Sequence, residues 1–138
     1  MLLTKECDYG IRIIRTLADG EKKTVETICD IEYIPDQYAY KILKKLERAG
    51  FVKSFRGRDG GYQLAMPLDT FTVCDVVSSI DKNLYLNECL REDKECPFKK
   101  EDQLCVVHQE LGRIQEVLIG ELSSKTIKEV LGLDDQPL

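Results

Sequence analysis

Cys89, Cys96, Cys105 and His108 fall within one polar stretch, CLREDKECPFKKEDQLCVVH, with the spacing C-x6-C-x8-C-x2-H. That stretch holds three of the six cysteines and the only histidine of the chain. Soft thiolates suit zinc, copper(I) and iron–sulfur clusters. Three cysteines and a histidine could hold a tetrahedral structural zinc. They could equally hold a 2Fe-2S cluster with one histidine ligand, or a 4Fe-4S cluster with one iron left to another ligand. Zinc fingers usually pair their ligands about two to four residues apart, so the wider intervals here suit a loop wrapping a bulkier cluster. Cys105 and His108, three apart at the start of a helix, take neighbouring positions on one face. Two other readings stand beside these: thiols that form a regulatory disulfide, and His108 as an ordinary surface imidazole. Cys7, Cys29 and Cys74 fall where small buried side chains fit a helix, and read as core thiols.

A second chemistry lies upstream. The net charge of the 138-residue chain is −5, but its distribution is uneven. Residues 1–66 carry 12 Lys/Arg against 10 Asp/Glu, and residues 67–138 carry 8 against 15. Between Lys41 and Arg58 there are seven basic residues and one acid, Glu47. Such a local patch can bind DNA through a small face of an acidic protein, although charge runs are also ordinary solvated surface. The length suits one domain with or without a dimerising extension. No run of ~18 apolar residues reads as a membrane span, and MLLTKECDYG has no signal-peptide pattern. A cytoplasmic location follows as the expectation, where metal binding or burial is favoured over disulfides.

The elements that must position these residues follow from caps and periodicity. Thr4 caps a helix to about Asp19 with Ile11, Ile14, Leu17 and Ala18 inward. Thr24 caps a short helix from Val25 to about Glu32 with Ile28 and Ile31 buried. Pro35 opens a third helix to Ala49, with a stripe of Tyr38, Ile42, Leu43 and Leu46 and a glycine stop at Gly50. Two strands follow, one with Phe51, Val52 and Phe55, the other with Tyr62, Leu64 and Met66, joined through Asp59-Gly60-Gly61 as a hairpin. Thr72 and Asp75 resemble a capping box for a helix over Val73–Ile80. Residues 82–103 read as a loop. Leu104, Val107, Leu111, Ile114, Leu118 and Leu122 then mark a long helix suited to packing on a second subunit, and SSKTIKEVLG closes with a short capped helix.

The expected fold is mainly α with a small β-hairpin wing: a winged helix-turn-helix plus a long C-terminal dimerisation helix. The boundaries are 1–80 for the DNA-binding domain, 81–104 for the cysteine-containing loop, and 105–138 for the dimerisation helix and final short helix. In a helix-turn-helix the second helix of the unit meets base edges with its N-terminal residues. Gln37 could pair with adenine and Tyr40 could pack on a thymine methyl. Lys41, Lys44 and Lys45 read as phosphate contacts, which set affinity rather than sequence. Arg56 and Arg58 flank the wing tip, where an arginine can enter a narrow minor groove. The candidate DNA-facing set is completed by Lys5, Tyr38, Gly57, Gly60 and Gly61, with Tyr38 also fitting a core position by its apolar spacing.

These pieces resemble the IscR/NsrR family of iron–sulfur winged-helix regulators. The resemblance is carried by Leu3-Thr4, Tyr9, KILKKLERAGFVKSFRGRDGGYQLA at 41–65, and TVCDVVSSID at 72–81, and spans about residues 1–131. The family wing reads R-G-x-x-G-G-Y, matched from Arg56 to Tyr62. A glutamate that reads bases in the best-known member is Tyr40 here, so its operator sequence does not carry over. The resemblance implies that Cys89, Cys96 and Cys105 hold an iron–sulfur cluster, at longer intervals than in that member. His108 matches the family's C-x-x-H fourth ligand, whereas nitric-oxide-sensing relatives use an aspartate matched by Asp8, supplied by the partner subunit. His108 is preferred because imidazole is the better borderline ligand.

The expected function is a homodimeric transcription regulator whose affinity for a double-stranded DNA operator depends on a 2Fe-2S or 4Fe-4S cluster and on iron, redox or nitric oxide signals. The alternatives are a zinc-dependent or thiol-redox regulator without a cluster, and a regulator acting through contacts with a metabolic enzyme. An enzyme is not expected: the glycines of GRDGG sit in a hairpin rather than before a helix, and the one histidine has no evident nucleophile partner.

Overall fold

The computed structural model describes residues 3–98 and 105–133. Six helices and one hairpin follow in the order α1 (Lys5–Thr16), α2 (Val25–Glu32), α3 (Asp36–Arg48), β1 (Val52–Phe55), β2 (Gly61–Leu64), α4 (Val73–Ile80), α5 (Val106–Leu122) and α6 (Ile127–Val130). The result is mainly helical, with the hairpin as a wing.

Threonine hydroxyls start four of these helices. Thr4, Thr24, Thr72 and Thr126 accept from the backbone N–H of Cys7, Thr27, Asp75 and Glu129, satisfying donors that have no partner within the helix. Thr72 with Asp75 and Thr126 with Glu129 form complete capping boxes. Pro35 is the N-cap of α3. At the other end of α3, Gly50 has φ +85°. Its N–H donates to Glu47 O and that of Phe51 to Leu46 O, a glycine-dependent closure that sends the chain straight into β1.

The core gathers at the meeting of α1, α2, α3 and α4. Ile13, Ile14, Leu17, Ile28, Ile42, Leu43, Leu46, Val76 and Val77 are fully buried. Three expectations are corrected here. Ile31 is 50% exposed, and Cys29, at 6%, takes the inward place beside Ile28; an eight-residue helix has room for only a narrow buried face. On α1, Ile13 and Cys7 are buried while Ile11 and Ala18 are half-buried, because three helices surround α1 and widen its apolar stripe. Cys74 is half-buried rather than in the core, with its sulfur 3.9 Å from the Ser78 hydroxyl.

One charged network lies inside. Glu32 is buried and accepts from Arg15 and from the Thr16 hydroxyl, tying α2 to α1. Burial works against its charge, but the hydrogen bonds from Arg15 and Thr16 and the Arg15 charge prevail and hold its pKa below the ordinary value.

β1 and β2 pair antiparallel from Val52↔Leu64 to Phe55↔Gly61. Arg56–Gly60 form the connecting loop. Its positive φ falls at Gly57 (+95°) and, at the start of β2, Gly61 (+147°), not at Asp59 or Gly60. Lys23 and Tyr62 exchange backbone hydrogen bonds of 2.9 and 2.7 Å, so the α1–α2 connection touches the free edge of β2 through one isolated bridge. A Cβ on Gly61 would stand 2.5 Å from Lys23 O, which reserves that position for glycine.

After α4 the chain makes a single 3₁₀ turn, Glu88–Leu90, that packs on α5. Leu86 N–H donates to Gln115 Oε1 on that helix at 2.9 Å. Leu104, the first residue of the expected stripe, lies outside the described residues, as do residues 99–103 of the expected loop and 134–138. None of the residues of α5 is buried. Val106, Val107 and Val117 are 74%, 60% and 58% exposed, an apolar surface that the described residues leave uncovered.

Helix α6 returns to the N-terminal core. Ile127 is 1% exposed, Ile127 N–H donates to Phe71 O, Lys128 N–H to Leu68 O, and Thr72 and Thr126 form a β-bridge. No helix among the described residues is long and apolar enough to cross a membrane.

Candidate nucleic-acid interface and thiol loop

Helix α3 and the wing flank one open cleft. Its walls are Tyr40, Lys44 and Glu47 from α3, Thr24, Val25 and Glu26 from the start of α2, and Ser54 to Arg58 with Gly60 to Tyr62 from the wing. Tyr40 is 54% exposed, so its ring and hydroxyl are available. Gln37, in the first turn of α3, is exposed. Tyr38 is half-buried, its ring edge-on to Tyr9 with centroids 5.7 Å apart, so packing accounts for much of its surface.

The structure separates lysines that look equivalent in sequence. Lys41 Nζ donates to Glu6 Oε1 at 2.8 Å. Lys45 Nζ donates to the Ile80 carbonyl at 2.9 Å and lies 3.4 Å from Glu6 Oε2. The hydrogen bond and charge of Lys41, with those of Lys45, outweigh burial and hold the Glu6 carboxyl below its ordinary pKa. Lys45 thus places its cation at the C-terminal end of α4, where a helix dipole favours it. Lys44, Arg56 and Arg58 have no hydrogen-bond or ion-pair partner among the described residues. They are free to meet an anion at no internal cost. Lys5 is exposed at the start of α1, beside the recess formed with Glu6, Tyr38 and Lys45.

The thiols also divide. Cys7 and Cys29 are buried. Burial, with the neighbouring Asp36 carboxylate, pushes the Cys29 thiol up to about 11, so it stays protonated and inert. Cys89, Cys96 and Cys105 are half-buried and unbonded. Cys89 lies in the 3₁₀ turn, where Asn87 Nδ2 is 3.6 Å from its sulfur. Cys105 is the N-cap of α5, with His108 in the first turn. His108 lines a shallow groove with Leu90, Gly112 and Gln115. Asp8 is exposed and accepts from Arg12 Nε at 3.0 and 2.9 Å. No three His, Cys, Asp or Glu side chains among the described residues converge as a metal-holding group. The thiols and the imidazole suit an iron–sulfur cluster in donor chemistry, while in the described conformation no three of them converge.

A helix-turn-helix with a basic-tipped wing, followed by a helix with an uncovered apolar face, defines the class of winged-helix transcriptional regulators. The chain belongs to the Rrf2 family of iron-dependent transcriptional regulators, which it matches over residues 3–132. Members of that family are DNA-binding regulators, not enzymes. Solved structures agree in fold. The global cysteine regulator CymR of B. subtilis is 23% identical with a TM-score of 0.75, covering 96% of this chain and 97% of that one. The oxidised form of Staphylococcus aureus CymR gives 21% and 0.74, covering 99% and 100%. T. potens IscR gives 20% and 0.74, covering 98% and 91%.

Sequence reasoning did not single out Glu6 as the residue that engages two lysines of α3. It also did not foresee that Lys22 and Lys53 meet at the Phe55 ring. Only the i, i+2 spacing of Lys53 and Phe55 on one strand face hinted at their shared surface.

Proposed function

We propose that the protein is a homodimeric transcriptional regulator that binds a double-stranded DNA operator through α3 and the wing. Its affinity is set by an iron–sulfur cluster at Cys89, Cys96 and Cys105. The observation that carries this reading is the division of the thiols: Cys7 and Cys29 are buried, while Cys89, Cys96 and Cys105 are half-buried and in no disulfide. His108 would supply the fourth ligand, or Asp8 of the partner subunit in its place. When bound, the cluster supplies a centre that reacts with oxygen or nitric oxide. The chain's own residues supply the rest. Lys44, Arg56 and Arg58 meet phosphates and groove edges, Gln37 and Tyr40 face the bases, and the exposed valines of α5 pair two subunits. That pairing sets the spacing of the two recognition helices to a helical turn or a multiple of it. Regulation requires the two states of the loop to differ in affinity for DNA.

A second reading is a thiol-redox regulator with the same DNA module. It is favoured by the separation of the loop donors and by the existence of an oxidised form of the similar CymR. Anaerobically purified protein separates the two. Visible iron–sulfur absorption, with matching iron and acid-labile sulfide and operator binding altered by Cys96→Ala, is the expected result. Colourless protein without sulfide, whose operator binding is unaffected by Cys96→Ala, refutes the cluster. A disulfide under mild oxidation would then carry the second reading.

A further inference from the structure

The outer side of the wing carries a second cationic surface. Ser54 turns toward α3, where its hydroxyl donates to Glu47. Its neighbours Lys53 and Phe55 alternate to the opposite face of β1. The Lys23–Tyr62 pairing and the bond from Gln63 Nε2 to Gly20 O fasten the α1–α2 connection along β2. That fastening delivers Lys22 to the same place. Lys22 Nζ stands 5.1 Å and Lys53 Nζ 5.6 Å from the Phe55 ring centroid.

Both ammonium groups are solvent-exposed and have no acidic partner among the described residues. Lys23, next in the chain, is instead paired with Asp19 at 2.6 Å. Two like charges, each within 5.6 Å of one ring centroid, repel one another. An anion seated between them relieves that repulsion, and the ring holds both stems in place for it. The base of this patch is rigid, because Phe55 pairs with Gly61 in the hairpin register.

We propose that Lys22 and Lys53, held over Phe55, bind the DNA phosphate backbone outside the groove entered by the wing tip, extending the footprint beyond the operator half-site. The inference rests on the DNA-binding reading above. Nothing in it requires base contacts, so it adds affinity and salt dependence without sequence preference.

The probe is a duplex recovered by repeated selection of the wild-type protein from a random-sequence pool. It is used in two lengths: trimmed to the last base pair protected by the wing, and extended by one helical turn on each side. Wild type should bind the extended duplex at least tenfold more tightly. Lys22→Ala/Lys53→Ala should lose that advantage and bind the trimmed duplex as wild type does. On the extended duplex its log–log salt slope should become shallower by about 1.8, for one phosphate seated between each lysine pair and so two per dimer. Phe55→Leu, which keeps an apolar strand residue, should lose part of the advantage. A double variant that retains the wild-type ratio between the two lengths overturns the proposal and leaves DNA binding intact. Failure to enrich any duplex overturns the DNA-binding reading, and this inference with it.

Discussion

Lys44 and Lys45 are adjacent on the recognition helix, and their replacement should have opposite consequences. Lys44 is exposed, lines the cleft and is unpaired among the described residues. Lys44→Ala removes one phosphate contact per subunit. For a dimer, the slope of log binding constant against log salt should become shallower by about 1.8, with stability changed by no more than about 0.5 kcal/mol. Lys45 is only 29% exposed and holds the carbonyl of Ile80 at 2.9 Å and Glu6 at 3.4 Å. Lys45→Ala strips a part-buried carbonyl at the end of α4 of its donor, and leaves Glu6 to Lys41 alone. The cost is about 1–2 kcal/mol, or a melting temperature lower by about 4–8 °C for a chain of this size. Its salt slope should remain close to that of wild type. Thermal denaturation followed by circular dichroism and fluorescence anisotropy over a salt series measure both quantities on the same preparations. If Lys45→Ala flattens the salt dependence as much as Lys44→Ala does, or if Lys44→Ala melts early and binds normally, the division drawn from the hydrogen bonds is wrong.

Three further outcomes follow from the same coordinates. Because the folded pKa of Glu32 is depressed, its stabilisation is present above the unfolded carboxylate value near 4.5 and is lost as pH falls through the folded one; Glu32→Gln should flatten the loss of stability below about pH 4.5 in an acid titration. Ile127→Ala should cost about 2–4 kcal/mol by opening a cavity at the α6 contact, read as an earlier denaturant midpoint with the slope unchanged. Val117→Glu, at a position already 58% exposed, should leave monomer helicity intact while sedimentation shows loss of the dimer; a dimer that survives would place the subunit contact elsewhere than this face of α5.

Much of the fold was legible because it is written locally. A threonine before four of the six helices, a proline at the opening of α3 and a glycine at its close are short-range signals, and they fixed those helix starts almost to the residue. What failed was whatever depends on neighbours distant in sequence. Ile31 has helical spacing with Ile28, yet only the contacts of a finished α2 show that it points outward. Cys74 was assigned to the core by residue type, whereas α4 buries Val76 and Val77 instead. No pattern in the residues 41–45 separates a lysine occupied by Glu6 from a free one, since Glu6 is 35 residues from Lys41 in the chain. Likewise the return of Ile127 to Phe71 leaves no periodic trace, and the final helix read as an appendage of the long one. The loop ligands were legible as chemistry, by residue type and order, but not as geometry.

The docking of α6 gives α5 two points of attachment. One is the Leu86–Gln115 hydrogen bond near the middle of the helix, and the other lies past its C-terminal end, in the Phe71–Ile127 and Leu68–Lys128 hydrogen bonds. In mechanical terms α5 is a stirrup and not a cantilever. A free arm can swing about its root without disturbing the body that carries it. A bar held at two points transmits a push at either point to the frame. Any stiffening of the segment that carries Leu86 therefore has few ways to be absorbed by α5 alone. It must either bend the short turn Ser123–Lys125 or shift α5 against the helices on which α6 docks.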